Sequence, residues 1–139
     1  MHLLDTDTLT HFHAGNPNVI QRLRSLNDPI VGTTIIIKAE LLRGRIDFIL
    51  KANTADDFLR AQNLFTRTEE LLIQIEIFPM TTATIERFEQ LLNIRGLSKI
   101  GRADLLIASI ALANRAVLVT RNLRHFRQIP RLQVVNWVD

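Results

Sequence analysis

Three carboxylates in this 139-residue chain, Asp5, Glu40 and Asp104, stand where residue pattern would bring them together. Asp5 ends the apolar run His2-Leu3-Leu4 and leads into Thr6-Asp7-Thr8, as a short buried strand does when it delivers a carboxylate to the open end of a sheet and passes into a helix cap. Glu40 lies between Ala39 and Leu41-Leu42, and a helix laid against a sheet has little reason to bury an unpaired carboxylate. Asp104 opens the apolar run Leu105-Leu106-Ile107-Ala108. Taken singly, each has a plain structural role: Asp5 or Asp7 as a cap, Asp104 as a complement to a helix dipole, Glu40 as a solvated residue. Together at the carboxyl edge of one parallel sheet they would repel one another unless a cation sat between them. Hard divalent ions such as Mg2+ or Mn2+ choose carboxylate oxygens and water, bind phosphates, and activate water for phosphodiester cleavage.

The elements needed to position these acids alternate between strand and helix. After the first strand, Leu9 to Ala14 predicts a short helix ending at Gly15, and Asn16-Pro17-Asn18 opens a second through Leu26 with proline near its first turn. Ile30 to Thr33 predicts a strand; Thr34 then caps a helix that carries Glu40 toward Ile49, with Ile35-Ile36-Ile37 readable as either strand or helix. Thr54 caps a long amphipathic helix, Gln74 to Phe78 alternates as a strand, and Thr82 to Ile94 is amphipathic again. A loop from Leu97 to Gly101 leads into an apolar helix from Arg102 to Asn114, and Val117 to Val119 and Leu132 to Val135 supply the last strands. This order predicts a single α/β domain over residues 1–139, three-layered α/β/α, with a central parallel sheet of about five strands.

Composition narrows the partners. With 47% hydrophobic residues the chain can bury a core, and its slightly positive mean hydropathy suggests that a partner covers some apolar surface. Seventeen Lys+Arg against 14 Asp+Glu suit a polyanionic substrate without demanding one. Cysteine is absent, which excludes a disulfide framework and a thiolate zinc site. No apolar run approaches the roughly 18 residues of a membrane span, so no membrane association is expected and a cytoplasmic location is the default expectation.

The runs Leu3-Leu4-Asp5-Thr6-Asp7-Thr8-Leu9, Ala39-Glu40-Leu41-Leu42-Arg43-Gly44, Ile100-Gly101 with Asp104 to Ala108, and Leu118-Val119-Thr120-Arg121-Asn122 with Phe126 and Ile129-Pro130 resemble, in order, the signatures of the PIN domain. Their spacing is most similar to the VapC-type ribonuclease toxins of prokaryotic toxin–antitoxin pairs, and the likeness extends to Val134-Val135-Asn136-Trp137. The resemblance implies a Mg2+- or Mn2+-dependent endoribonuclease that cleaves RNA through metal-activated water, is held inactive by a cognate VapB-like antitoxin, and forms a homodimer. It places metal binding and catalysis on Asp5, Asp104 and Glu40, and substrate contacts on Thr6, Thr120, Arg121, Asn122 and Arg102.

Departures from the family pattern matter as much. Where many relatives offer a fourth acid after the fourth strand, this chain has Asn122 and, three residues on, His125, neither of which adds negative charge at neutral pH. Asp7 stands where an asparagine is common. His11 and His13, two apart on a helix, face different ways and cannot chelate one ion. Arg43, Arg45, Lys99, Arg102, Arg121, Arg124 and Arg127 could ring the acidic edge and grip a nucleic-acid backbone without reading its sequence. Two other readings stay open at this level. One is a PIN-like domain that binds RNA or protein without cutting. The other is a haloacid-dehalogenase-type phosphatase using Asp5 as nucleophile and Asp7 as general acid/base, although Leu9 and the lack of a late phosphate-binding lysine fit it poorly.

Overall fold

The computed structural model describes residues 1–139. Five short parallel strands, β1 (His2–Leu4), β2 (Val31–Thr34), β3 (Glu76–Phe78), β4 (Val117–Val119) and β5 (Gln133–Val135), form one sheet in the order β3-β2-β1-β4-β5. Seven α-helices flank it: α1 (Thr6–His13), α2 (Pro17–Ser25), α3 (Ile35–Leu50), α4 (Ala55–Gln74), α5 (Thr82–Leu92), α6 (Arg102–Ala113) and α7 (Leu123–Phe126). A 3-10 turn, Leu97–Ile100, precedes α6. This is the expected three-layer α/β arrangement, and no helix is long and apolar enough to cross a membrane.

Several boundaries move, each for a local reason. Helix α1 starts at Thr6 rather than Leu9, because the Asp5 carboxylate accepts the Thr8 backbone N–H at 2.8 Å and caps the helix immediately after the strand. The Ile35-Ile36-Ile37 ambiguity resolves as helix: Thr34 is both the last residue of β2 and the N-cap of α3, its hydroxyl accepting the Ile37 N–H at 3.1 Å. Helix α4 runs to Gln74 and shortens β3 to Glu76–Phe78. Helix α7 occupies a segment that showed no periodic signal, a single turn too short to carry one.

The core is continuous along the sheet. Leu3, Leu118 and Val119 on the central strands and Ile107, Ala108, Ile110 and Ala111 on α6 are all nearly or fully buried. That explains why α6 is apolar on most sides. Gly32 sits on β2 where a Cβ would meet the Glu76 carbonyl oxygen at 2.3 Å, so glycine lets β3 lie close against β2.

Candidate active site

The register of the central strands builds the first part of the site. Leu4 pairs with Val119, and the Asp5 N–H continues the ladder onto the Val119 carbonyl at 3.0 Å, which sets Asp5 beside Thr120 at the carboxyl edge. Thr120 is fully buried, and its hydroxyl accepts the Asn122 N–H at 3.0 Å. Burial pushes the Asp5 carboxyl above the usual aspartate range, opposed by hydrogen bonds from the Thr120 side chain and from Thr8. Asp5 is therefore a helix cap and a partly desolvated, basic carboxylate at once.

Glu40 comes to the same edge from α3, but not as the sequence pattern suggests. Ile37 and Leu41 point into the core while Ala39 and Glu40 are exposed, because the helix turns its fourth face away from the sheet. Glu40 lies at the rim, where the Thr6 hydroxyl donates to its Oε2 at 3.2 Å. Its carboxyl is raised first by desolvation and then by repulsion from Asp104 and Asp5, with the Thr6 hydrogen bond opposing. Glu40 thus lies within electrostatic reach of the other two acids.

Asp104, in the first turn of α6, is half-buried and engages His125 of α7, Oδ2 to Nε2 at 2.9 Å. With a carboxylate as acceptor, that nitrogen carries the proton. The imidazole is packed edge-on against the buried Phe126 ring, centroids 5.1 Å apart, which fixes its direction. Sequence reasoning noted His125 only as a weak replacement for an acid. Its pairing with Asp104 joins residues 21 positions apart and has no local signal.

The remaining residues divide. Thr6 faces the site. Thr120 is too buried to meet a ligand and instead supports Asp5 and the Asn122 turn. Asn122 is exposed ahead of α7 and makes no side-chain cap. Arg121 reaches Asp139 through Nε and Nη2, both at 3.2 Å, and Asp7 through Nη1 at 3.7 Å, so two carboxylates already occupy its fork. Arg102 lies over the Phe88 ring, 5.1 Å from its centroid, turned toward α5. Asp7 is exposed and engaged by Arg121 and His11, an arrangement unlike the acid/base aspartate of a phosphatase. His11 turns to Asp7 while His13 lies near Arg45 and Arg67, so the two histidines do have different neighbours.

As the side chains stand, no three His, Asp or Glu groups converge into a ready-made cage for a cation. Glu40 is turned to Thr6 and Asp104 to His125. The donor chemistry nevertheless fits a hard divalent ion: three carboxylates, two with raised proton affinity, and one exposed to water at the rim. Such an ion would draw Glu40 from the Thr6 hydroxyl, whereas Asp104 keeps Oδ1 free while Oδ2 stays with His125.

Comparison with known proteins agrees with this architecture. The chain is 29% identical to Ribonuclease VapC1 of Haemophilus influenzae strain R2866, covering 99% of this chain and 98% of that protein. Among solved structures it is similar to VapBC2 from Rickettsia felis bound to a DNA fragment from its promoter, with 27% identity, a TM-score of 0.72 and 98% of both chains covered. It shares its fold with VapBC-1 from nontypeable Haemophilus influenzae, TM-score 0.78 at 24% identity over 99% of this chain and 98% of that one. The PIN domain model matches residues 2–132. With one parallel sheet carrying three acids at its carboxyl edge and a family match over nearly its whole length, the chain belongs to the PIN domain family.

Proposed function

We propose that this protein is a VapC-type ribonuclease, the toxin of a VapBC-type pair, that cleaves RNA phosphodiester bonds with Mg2+ or Mn2+. The observation that carries the reading is the meeting of separate elements at one sheet edge: Asp5 continues the β1–β4 ladder onto the Val119 carbonyl, and the next residue, Thr6, donates to Glu40 of α3. Full-length similarity to a protein named Ribonuclease VapC1 supports the substrate class, and similarity to VapBC complexes supports a VapB-like antitoxin as partner. The chain acts as one domain over residues 1–139. Exposed Phe48, Leu50, Phe58 and Leu59, on α3 and α4, suit it to homodimerise or to meet the antitoxin.

Asp5, Glu40 and Asp104 would hold the ion, which when bound lowers the pKa of water and offsets charge on the scissile phosphate. The protein's own part is positioning and proton traffic. Thr8 and Thr120 fix Asp5, Thr6 fixes Glu40, and His125 holds one oxygen of Asp104. Glu40, exposed at the rim and raised in pKa, is placed to accept the proton of an attacking water. Asn122 is open to a phosphate oxygen, whereas Thr6 must release Glu40, and Arg121 must release Asp7 or Asp139, to bind one.

The test is purified protein with single-stranded and structured RNA. Cleavage should require Mg2+ or Mn2+, stop with a chelator and disappear in Asp5→Asn. Cleavage that survives the substitution removes Asp5 from the site, and binding without cleavage under any divalent ion favours a non-catalytic PIN-like domain.

A further inference from the structure

A second concentration of charge lies along the groove between α1, α3 and α4. A cavity of about 410 Å³ is lined by Thr10, His13, Ala14, Arg45, Leu64 and Arg67. No carboxylate lines it, and neither arginine nor His13 forms an ion pair anywhere in the protein. Arg45 is half-buried, and its only side-chain hydrogen bond runs from Nε to the Thr68 hydroxyl at 3.1 Å, leaving both terminal nitrogens of the guanidinium free. Thr68 is itself fixed, donating to the Leu64 carbonyl at 2.7 Å, so the guanidinium is aimed rather than floppy. Burial lowers the Arg45 pKa, and burial together with Arg67 and Arg45 lowers that of His13. Crowding uncompensated cations in this way disfavours the empty site, and an anion would relieve it.

The cavity and the acidic edge share one face of α1, on which Thr6, Thr10 and His13 stand at i, i+4 and i+7. Thr10, one turn beyond Thr6 on α1, donates to the Thr6 carbonyl at 2.9 Å, and Thr6 in turn holds Glu40. On α3, Arg45 lies five residues beyond Glu40, about 7.5 Å along the helix and about 140° around it, and comes to the cavity from the side facing α4. A polyanion seated at Glu40 and Thr6 therefore meets Arg45 and Arg67 a short distance further on. We infer that the cavity formed by Arg45, Arg67, His13 and Thr10 is a second phosphate subsite, which takes a backbone phosphate of the RNA strand at a nucleotide next to the one being cut. This rests on the ribonuclease reading above. Two planar guanidinium forks suit a phosphate's oxygens, and the site carries no feature that would read a base.

Binding of a labelled single-stranded RNA is followed by anisotropy over a range of salt, in an Asp104→Asn background that prevents cutting. Each lost phosphate contact should reduce the slope of log K against log salt by about 0.7. Arg67→Ala and Arg45→Gln are each expected to show that reduction together with weaker binding at low salt. Since Arg45 also joins α3 to α4, Arg67→Glu on the exposed face provides the charge test should Arg45→Gln unfold. Inorganic phosphate should compete away only the Arg67-dependent part of the binding. Unchanged slopes in folded Arg67 variants overturn the subsite, as does a polyglutamate peptide whose binding needs Arg67 while that of RNA does not. Wild-type cleavage with unchanged slopes sinks this inference alone. Arginine-dependent RNA binding without cleavage under Mg2+ or Mn2+ sinks the ribonuclease reading and leaves the subsite standing.

Discussion

The acidic edge and the basic cavity lie on neighbouring stretches of the same helices and handle charge in opposite ways. At the edge every carboxylate has a partner supplied by the fold: Thr8 and Thr120 for Asp5, Thr6 for Glu40, His125 for Asp104, Arg121 for Asp7. In the cavity Arg45 has one hydroxyl, that of Thr68, and neither it nor Arg67 or His13 is paired with an acid. Supplied partners give each acid a defined direction before a ligand arrives, and Glu40 must leave Thr6 to join the others around an ion. Missing partners instead create a demand that only a ligand can meet. Positioning and attraction are thus separated in space, and substitutions can attack one without the other.

The largest effect should come from Asp5→Asn, which leaves the cap intact, since asparagine and aspartate cap about equally well, but removes a site carboxylate. RNA cleavage should fall by orders of magnitude in a single-turnover assay while RNA binding persists. Stability should move the other way. Because the Asp5 carboxyl titrates higher in the fold than in the unfolded chain, its stabilising contribution is complete below the ordinary aspartate pKa of about 3.9 and is lost as pH rises through the folded value. Asparagine does not titrate, so the melting temperature of the variant relative to wild type should climb across that window. A relative melting temperature that is flat with pH would contradict the assigned burial.

Next is His125→Ala, which frees Asp104 to rotate. Loss of an outer partner of a metal ligand typically costs about 10- to 100-fold in metal affinity or activity, so Mn2+ affinity measured by EPR should drop within that range. His125→Gln, which can still donate a hydrogen bond, should recover part of it; equal loss in both would make the imidazole a packing element against Phe126 only.

A smaller change is expected of Thr120→Val. Denaturant titration should show a loss of about 1 kcal/mol for the hydrogen bond to Asn122. Asp5 would also lose a contact that lowers its pKa, so the deficit should grow as pH rises through the folded Asp5 value, which lies above the ordinary aspartate range. Arg121→Ala should be the mildest for stability, leaving the melting temperature unchanged, because its pairs with Asp7 and Asp139 are solvent-exposed. Its informative readout is RNA affinity: weaker binding with a shallower salt dependence would mean that Arg121 reaches the strand, unchanged binding that it stays with Asp7 and Asp139.

What could be read from the sequence follows from the range of the forces involved. Strand ends, caps and apolar faces are local, so Asp5 after β1, Thr34 and Thr54 as caps and the buried α6 were all legible. Glu40 was legible as a residue of interest for a reason that the fold reverses: apolar neighbours in sequence surround it, yet the helix carries it to the surface. The pairing of His125 with Asp104, the bracing of Arg121 by Asp139 and the gathering of Arg45, Arg67 and His13 join distant positions. Nothing in local spacing encodes them.

Because the carboxylate at position 5 starts a helix through an oxygen that an amide also possesses, shape and chemistry there differ by a single atom. Replacement of the other carboxylate oxygen by nitrogen would yield a folded, silent copy with its apolar surfaces and arginine-lined cavity unaltered. Such a copy would still occupy whatever inhibitor or strand the active chain occupies. In a mixed population it would act as a decoy, shifting the ratio of free active chain to partner without any change in expression of the active chain.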